Sequence, residues 1–231
     1  MNKVTCDGCT PVIGATISDH LEVVEYLAQQ GADLNKASND STTAVYLAAV
    51  KGNLDVMRCL VQHGAEKDRA DINGNTALFA ATQKGRLAVV RYLVQQGADV
   101  NKANNCGCTP LFIAAEEGHL DVMRYLIQHG ADKNKANNDG ATPLLIAAQQ
   151  GHLTAVKYLV QRGADEDKAT KDHATPLKAA AREGHLAVVE FLAHRMAGKD
   201  RTIEYTETPL SVAARQGRAA IDQYLREHGI A

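Results

Sequence analysis

The chain has 231 residues, 25 basic against 27 acidic side chains, a net charge of -2 and 45% hydrophobic residues. That balance excludes disorder throughout and the strongly basic footprint of a nucleic-acid binder, and no run approaches the ~18 apolar residues that span a bilayer. Met1 to Cys9 lack the apolar core of a secretory signal, and five cysteines, an odd number, fit reduced thiols in the cytoplasm or nucleus better than a disulfide framework.

The length is seven times 33, and residue types recur at that interval. A threonine stands at Thr10, Thr43, Thr76, Thr109, Thr142, Thr175 and Thr208. Proline follows at Pro11, Pro110, Pro143, Pro176 and Pro209. Each unit therefore reads as an inner helix, a turn, an outer helix and a hairpin-like loop. Threonine caps the inner helix and proline suits its first position, where the missing donor costs nothing.

In the first unit Gly14, Thr16, Ile17 and Ser18 are poor helix formers, so a short or mobile first helix is expected. Asp19 stands there in the column that Gly52, Gly85, Gly118, Gly151, Gly184 and Gly217 fill later. Unit five shows the pattern most clearly. Leu144, Ala147 and Ala148 share one side of the inner helix, and Gly151 ends it by supplying a left-handed residue. The outer helix is expected from Leu153 to Gln161, with Val156, Leu159 and Val160 at helical spacing and Gly163 as its stop. In unit six Met196 replaces that stop, so the outer helix should run on, and the loop through Thr202, Ile203 and Tyr205 should differ from the other tips. Unit seven places Asp222 in the column of Val24, Met57, Val90, Met123, Val156 and Val189. A charge in a buried column is the mark of a solvated end cap, so the array is expected to stop there.

Two short helices cannot bury an apolar face alone; stacking on neighbours supplies the core. The run Asp139-Gly140-Ala141-Thr142-Pro143-Leu144, with Ala147-Ala148, Gly151-His152-Leu153, Tyr158-Leu159 and Gly163-Ala164-Asp165, resembles the ankyrin repeat, and the resemblance covers about residues 5 to 231. It implies an all-α repeat solenoid, an ankyrin-like stack of helix-turn-helix units with hairpin-like loops, curved with a concave binding face. It implies one domain over 1–231, with repeats at about 7–39, 40–72, 73–105, 106–138, 139–171, 172–204 and 205–231. The family's usual histidine three residues after the threonine is replaced here by Ile13, Tyr46, Phe79, Phe112, Leu145, Lys178 and Ser211, which puts its local hydrogen bonding in doubt.

Residues that could carry chemistry are few. Cys6 and Cys9 pair in the first loop and Cys106 and Cys108 in the fourth. At ~10 Å per stacked unit the two pairs lie roughly 30 Å apart, so neither reaches the four ligands of a structural zinc. His20, His119, His152 and His185 form a ladder whose expected work is bonding the turn between helices, and His63, His129 and His228 sit where an imidazole complements the outer helix dipole. No nucleophile has a positioned base and no phosphate loop appears, so neither an enzyme nor a cofactor is expected. The basic ladder Lys36, Arg69, Lys102, Lys135, Lys168 and Arg201 is largely cancelled by Asp33, Glu66, Asp99, Asp132 and Asp165. Leu27 to Asn35 and Leu93 to Asn101 resemble the pattern that asparaginyl hydroxylases recognise, which marks Asn35 and Asn101 as candidate modification sites beside their simpler role of shaping loops.

The resemblance also implies where a partner would touch: four, three and one residues before the threonine, and seven and eight after it. On this chain those positions include Asn39, Asp40, Thr42, Val50, Lys51, Ile72, Asn73, Asn75, Gln83, Lys84, Asn105, Cys106, Cys108, Glu116, Glu117, Asn138, Asp139, Gln149 and Gln150. Tyr46, Phe79 and Phe112 point away from the buried side of the inner helix, either lining the groove as an aromatic strip or packing under the loop tips. The rings at Phe79 and Phe112 are the expected hydrophobic anchors, since large aromatics often dominate binding. The expected function is a non-catalytic module that binds a protein or peptide on its concave face, in the cytoplasm or nucleus, as a monomer, without nucleic acid or membrane insertion. The other reading is a structural spacer or regulatory segment of a larger polypeptide.

Overall fold

The computed structural model describes residues 4–196 and 208–230. Among them are fourteen α-helices and no strand. In chain order they are α1 (Pro11–Ile17), α2 (Leu21–Gln29), α3 (Ala44–Lys51), α4 (Leu54–Gln62), α5 (Ala77–Gln83), α6 (Leu87–Gln95), α7 (Pro110–Glu116), α8 (Leu120–Gln128), α9 (Pro143–Gln149), α10 (Leu153–Gln161), α11 (Pro176–Glu183), α12 (Leu186–Met196), α13 (Pro209–Arg215) and α14 (Ala219–Glu227). The all-α repeat solenoid is therefore in place, with odd-numbered inner and even-numbered outer helices.

The threonine column starts the inner helices as expected. Thr10, Thr43, Thr76, Thr142, Thr175 and Thr208 each accept, through the side-chain oxygen, the backbone N–H three residues on. Ser211 returns the bond to the Thr208 N–H and completes a capping box. The first helix is not short. It has seven residues like α5, because the Thr10 cap and Pro11 hold its start and Asp19 takes the positive φ, 57°, that glycine supplies elsewhere. Helix α12 does run on, with 11 residues against 9 in α10. The loop through Thr202, Ile203 and Tyr205 lies outside the described residues.

The chain divides into two compact units: Met1–Pro110 with Arg124–Ala131, and Leu111–Met123 with Asp132–Ala231. In the first, α1 packs on α3 and α3 on α5, while α2 packs on α4 and α4 on α6. In the second, α9, α11 and α13 stack in the same way beside α10, α12 and α14. Inner helices approach closely because their facing positions are small: Ala48, Ala49, Ala147, Ala148 and Ala180 are fully buried. The outer helices fill the remaining space with Leu60, Leu93 and Leu159, also fully buried, each contributing on the order of 2 kcal/mol.

Candidate functional site

Each loop ends in a tight tip held by its own side chains. At the third, Asp71 Oδ1 accepts the Asn73 and Asn75 N–H groups at 2.9 and 2.8 Å, and the Asn75 side-chain amide donates to Asp71 Oδ2 at 3.1 Å. At the fourth, Asn104 Oδ1 accepts the Cys106 and Cys108 N–H groups, both at 3.0 Å. Asn75 and half-buried Cys108 are therefore parts of the tips' own bonding.

Successive tips also bond to one another. The Asn39 N–H donates to the Asp7 carbonyl (3.1 Å), Asn105 to Asn73 (3.0 Å) and Lys171 to Asp139 (3.0 Å). The side-chain amides of Asn39 and Asn105 add a second bond, to the carbonyls of Cys6 and Ile72. This arrangement needs glycine in the preceding tip. A Cβ on Gly74 would stand 2.8 Å from the Asn105 nitrogen, and one on Gly8 2.9 Å from that of Asn39. Ser41 carries a Cβ at that place, with φ 65°. Opposite it stands Ile72 instead of asparagine, and among the described residues no rung joins Ile72 to Asp40. Ile72 is left 68% exposed, more than any other large apolar side chain described. Its column, Asn39, Ile72, Asn105, Asn138 and Lys171, carried the signal: one aliphatic residue among polar ones.

The aromatic anchors do not stand in a groove. Phe79 is 5% and Phe112 4% exposed, so both rings belong to the core, and Tyr46 is half-buried. Two neighbours in the same column show what covers it. Lys178 Nζ donates to the His173 carbonyl of its own repeat's tip at 3.3 Å. Tyr46 feels the charge of Asp71, on the tip that follows its repeat. Burial first, and then the Asp71 charge, push the Tyr46 phenol up to about 12. A side chain three places after the threonine is thus roofed by tips, and an apolar one there fills space rather than meeting solvent.

Seven and eight places after the threonine the chain faces outward. In the first unit Val50 and Gln83 are half-buried and Lys51 and Lys84 exposed. Lys51 pairs with Asp19 at 3.3 Å, a solvent-exposed contact. In the second unit Glu116 and Gln149 are half-buried and Glu117 and Gln150 exposed. Burial, then the neighbouring Glu117 carboxylate, push the Glu116 carboxyl above the usual range.

The remaining ladders work inside the stack. His152 Nε2 lies 2.8 Å from the Glu116 carbonyl and His185 Nε2 2.9 Å from that of Gln149, and Arg86 reaches the Val50 carbonyl in the same way. Arg69 and Lys168 donate to the carbonyls of Asn35 and Asn134 in the preceding loops, while Arg201 lies outside the described residues. Asp33, Asp99 and Asp132 each accept the N–H two residues on. Asn35 Oδ1 accepts the Glu66 N–H at 2.7 Å, and the Asn101 amide donates to the Gly130 carbonyl at 3.0 Å. His63, His129 and His228 turn Nδ1 onto last-turn carbonyls, all at 2.8 Å. The Cys59 thiol lies 3.9 Å from His63, but that ring already serves the Cys59 carbonyl, and burial pushes the thiol up. An inactivated thiol beside an occupied imidazole is no nucleophile. No helix among the described residues is long and apolar enough to cross a membrane.

Comparison with known proteins agrees with this geometry. Family models for ankyrin repeats match residues 30–104, 97–172 and 163–231 as three-copy blocks and residues 7–39 as a single repeat. No curated protein sequence matches the chain. Among solved structures it is similar to the crystal structure of the human ASB11 ankyrin repeat domain, with a TM-score of 0.84 and 25% identity over 95% of this chain and 97% of that one. Ankyrin repeats are in general protein-protein interaction modules, typically non-catalytic. The chain belongs to the ankyrin repeat family.

Proposed function

We propose that this chain is a non-catalytic interaction module that binds another protein or peptide through its loop tips and the exposed ends of its inner helices. The observation that carries this reading is Ile72, an aliphatic side chain left in solvent on a tip where the rung to the neighbouring tip is missing. Exposed apolar residues rimmed by polar ones are the usual centre of an interface. In the first unit Lys51 and Lys84 supply positive charge around that face. The second unit offers Glu116, Glu117, Gln149 and Gln150, a surface of acidic and amide groups. The partner is a polypeptide rather than a nucleic acid, because two cations of the loop ladder, Arg69 and Lys168, are spent on neighbouring carbonyls and the net charge is -2. Five free thiols suit the cytoplasm or nucleus, and the module acts as a monomer. Asn35 and Asn101 become substrates for an asparaginyl hydroxylase only in a locally opened loop, since both side chains bridge to the next repeat.

Affinity capture with the whole chain, followed by identification of what binds, tests the reading when wild type is compared with Ile72→Asp, Lys51→Glu/Lys84→Glu and Glu116→Lys/Glu117→Lys. A partner lost with Ile72→Asp at unchanged thermal stability supports it. A partner held equally by all variants overturns it.

A further inference from the structure

The missing rung leaves open backbone groups as well as an exposed side chain. Where the row of tips is intact, the asparagine of one tip gives two donors to the tip before. Asn39 gives its N–H to the Asp7 carbonyl and its amide to that of Cys6, and Asn105 serves Asn73 and Ile72 in the same way. Between the second and third tips neither donor is delivered. Among the described residues nothing donates to the carbonyls of Asn39 and Asp40, and the Ile72 N–H has no acceptor.

Two carboxylates stand at the same place. Asp40 takes the Ser38 hydroxyl and the Thr42 N–H, and these bonds, that of Ser38 first, hold its carboxyl below the usual range. Asp71 takes the Asn73 and Asn75 N–H groups. The Tyr46 phenol, raised first by burial, feels the charge of Asp71 and then that of Asp40, so both carboxylates lie near one ring. The gap therefore offers acceptors and negative charge beside Ile72, 68% exposed. An anion is repelled there, and a purely apolar cover would bury the two carbonyls unpaired. Cations of the same loop are already engaged: Arg69 donates to the Asn35 carbonyl at 2.8 Å and Lys67 pairs with Asp68 at 2.6 Å.

The protein itself shows which side chain suits an open carbonyl of a preceding repeat. Besides Arg69, Arg86 reaches the Val50 carbonyl and Arg218 that of Arg182, both at 3.3 Å. A guanidinium carries a planar fork of N–H donors and accepts nothing, and its methylene stem lies well on an aliphatic neighbour. We infer that the gap between the second and third tips seats an arginine of the partner polypeptide. Its stem lies on Ile72 and its guanidinium serves the carbonyls of Asn39 and Asp40 and the Asp40 carboxylate. This rests on the interaction reading above and adds the residue that the partner presents. A lysine brings a point charge on a flexible stem and spans two carbonyls poorly; citrulline keeps the shape and loses the charge.

Three peptides that differ in one residue supply the test: acetyl-Leu-Arg-Leu-amide and its lysine and citrulline versions. Each is titrated into the isotope-labelled whole chain while the amide resonances of the second and third tips are followed. The arginine peptide should saturate the Ile72 shift in the millimolar range, about tenfold more tightly than the citrulline peptide, with lysine between them. Ser41→Gly with Ile72→Asn, which copies the pairing of Gly74 with Asn105, should fold as the natural chain does and lose about tenfold in affinity for the arginine peptide. Ile72→Ala, which leaves the carbonyls open, should lose less. Asp40→Asn should weaken binding and lessen its dependence on salt. Equal binding of the three peptides, unchanged affinity in the rung-restored chain, or no saturable shift at Ile72 overturns the inference. The interaction reading is judged separately by affinity capture. A captured partner lost with Ile72→Asp, in a chain that ignores the arginine peptide, would keep that reading and strike the arginine alone.

Discussion

Gly151→Ala should cost about 1 kcal/mol more than Gly97→Ala, although both replace a left-handed glycine by alanine. Gly151 has φ 74° and Gly97 φ 80°, so each change carries a backbone penalty of about 1–2 kcal/mol. Both also gain the same small entropic offset from a stiffer unfolded chain. The surroundings differ. Nothing lies within 4 Å of a Cβ at Gly97, whereas at Gly151 it would meet the His185 ring, 2.6 Å from Cε1 and 2.7 Å from Cγ. The ring must swing away, and its bond to the Gln149 carbonyl at 2.9 Å goes with it, a loss of about 0.5–1.5 kcal/mol. Urea unfolding of the two variants gives the comparison. Hydrogen exchange at the His185 and Val189 amides supplies a local reading should the array unfold in parts. On a His185→Ala background the extra cost of Gly151→Ala should vanish. Equal costs in the natural background would refute the reasoning that the His185 ring is seated because Gly151 has no Cβ.

The other expectations follow from burial and charge. Phe79→Ala should cost about 3–5 kcal/mol, the range for deleting a buried ring; a melting curve little changed would return Phe79 to the surface and to the binding face. Thr82→Val should raise stability by about 1 kcal/mol, because the Thr82 hydroxyl is fully buried without a hydrogen-bond partner and the methyl is isosteric. A fall in the urea midpoint would mean that the hydroxyl has an acceptor after all. Tyr46 should titrate near pH 12 when its ionisation is followed at 295 nm against the Tyr46→Phe variant. Its folded value is raised above the ordinary 10, so its contribution to stability is complete below pH 10 and lost as pH rises towards 12. Tyr46→Phe should remove that late step and flatten this part of the pH–stability curve.

Much of the fold was legible because a period of 33 residues fixes caps, stops and apolar stripes together, as the match of α10 to Leu153–Gln161 shows. Two expectations failed for reasons that no single column displays. The first helix is full length because Thr10 and Pro11 outweigh the weak propensities of Gly14 and Thr16. The rings of Phe79 and Phe112 are buried because tips fold over the inner helices, a contact between segments that periodicity along one helix does not report. Asn75, where the resemblance implies a partner contact, also serves the tips, bound to Asp71 and to the Asn104 amide within the first unit.

The recurring polar residues of this chain mostly hold it together. Histidines reach carbonyls of the repeat before, Arg69 and Lys168 reach the loop before, and aspartates turn their own loops. A side chain that every repeat needs for stacking has its polar atoms already engaged, and a partner that used it would have to break that bond first. Discrimination between partners therefore falls to places where the pattern lapses. Variation alone does not find them: the column of Ile13, Tyr46, Phe79, Phe112, Leu145 and Lys178 varies freely, yet five of these six are buried, because many shapes fill the space beneath a tip. What distinguishes Ile72 is that its lapse coincides with a broken rung. Ser41 brings a Cβ where the next tip's asparagine would sit, the asparagine is gone, and the residue in its place has only solvent to face. Substituting Ser41→Gly and Ile72→Asn together would rebuild the rung, and on this reasoning the closed tip row would gain stability while losing its apolar contact.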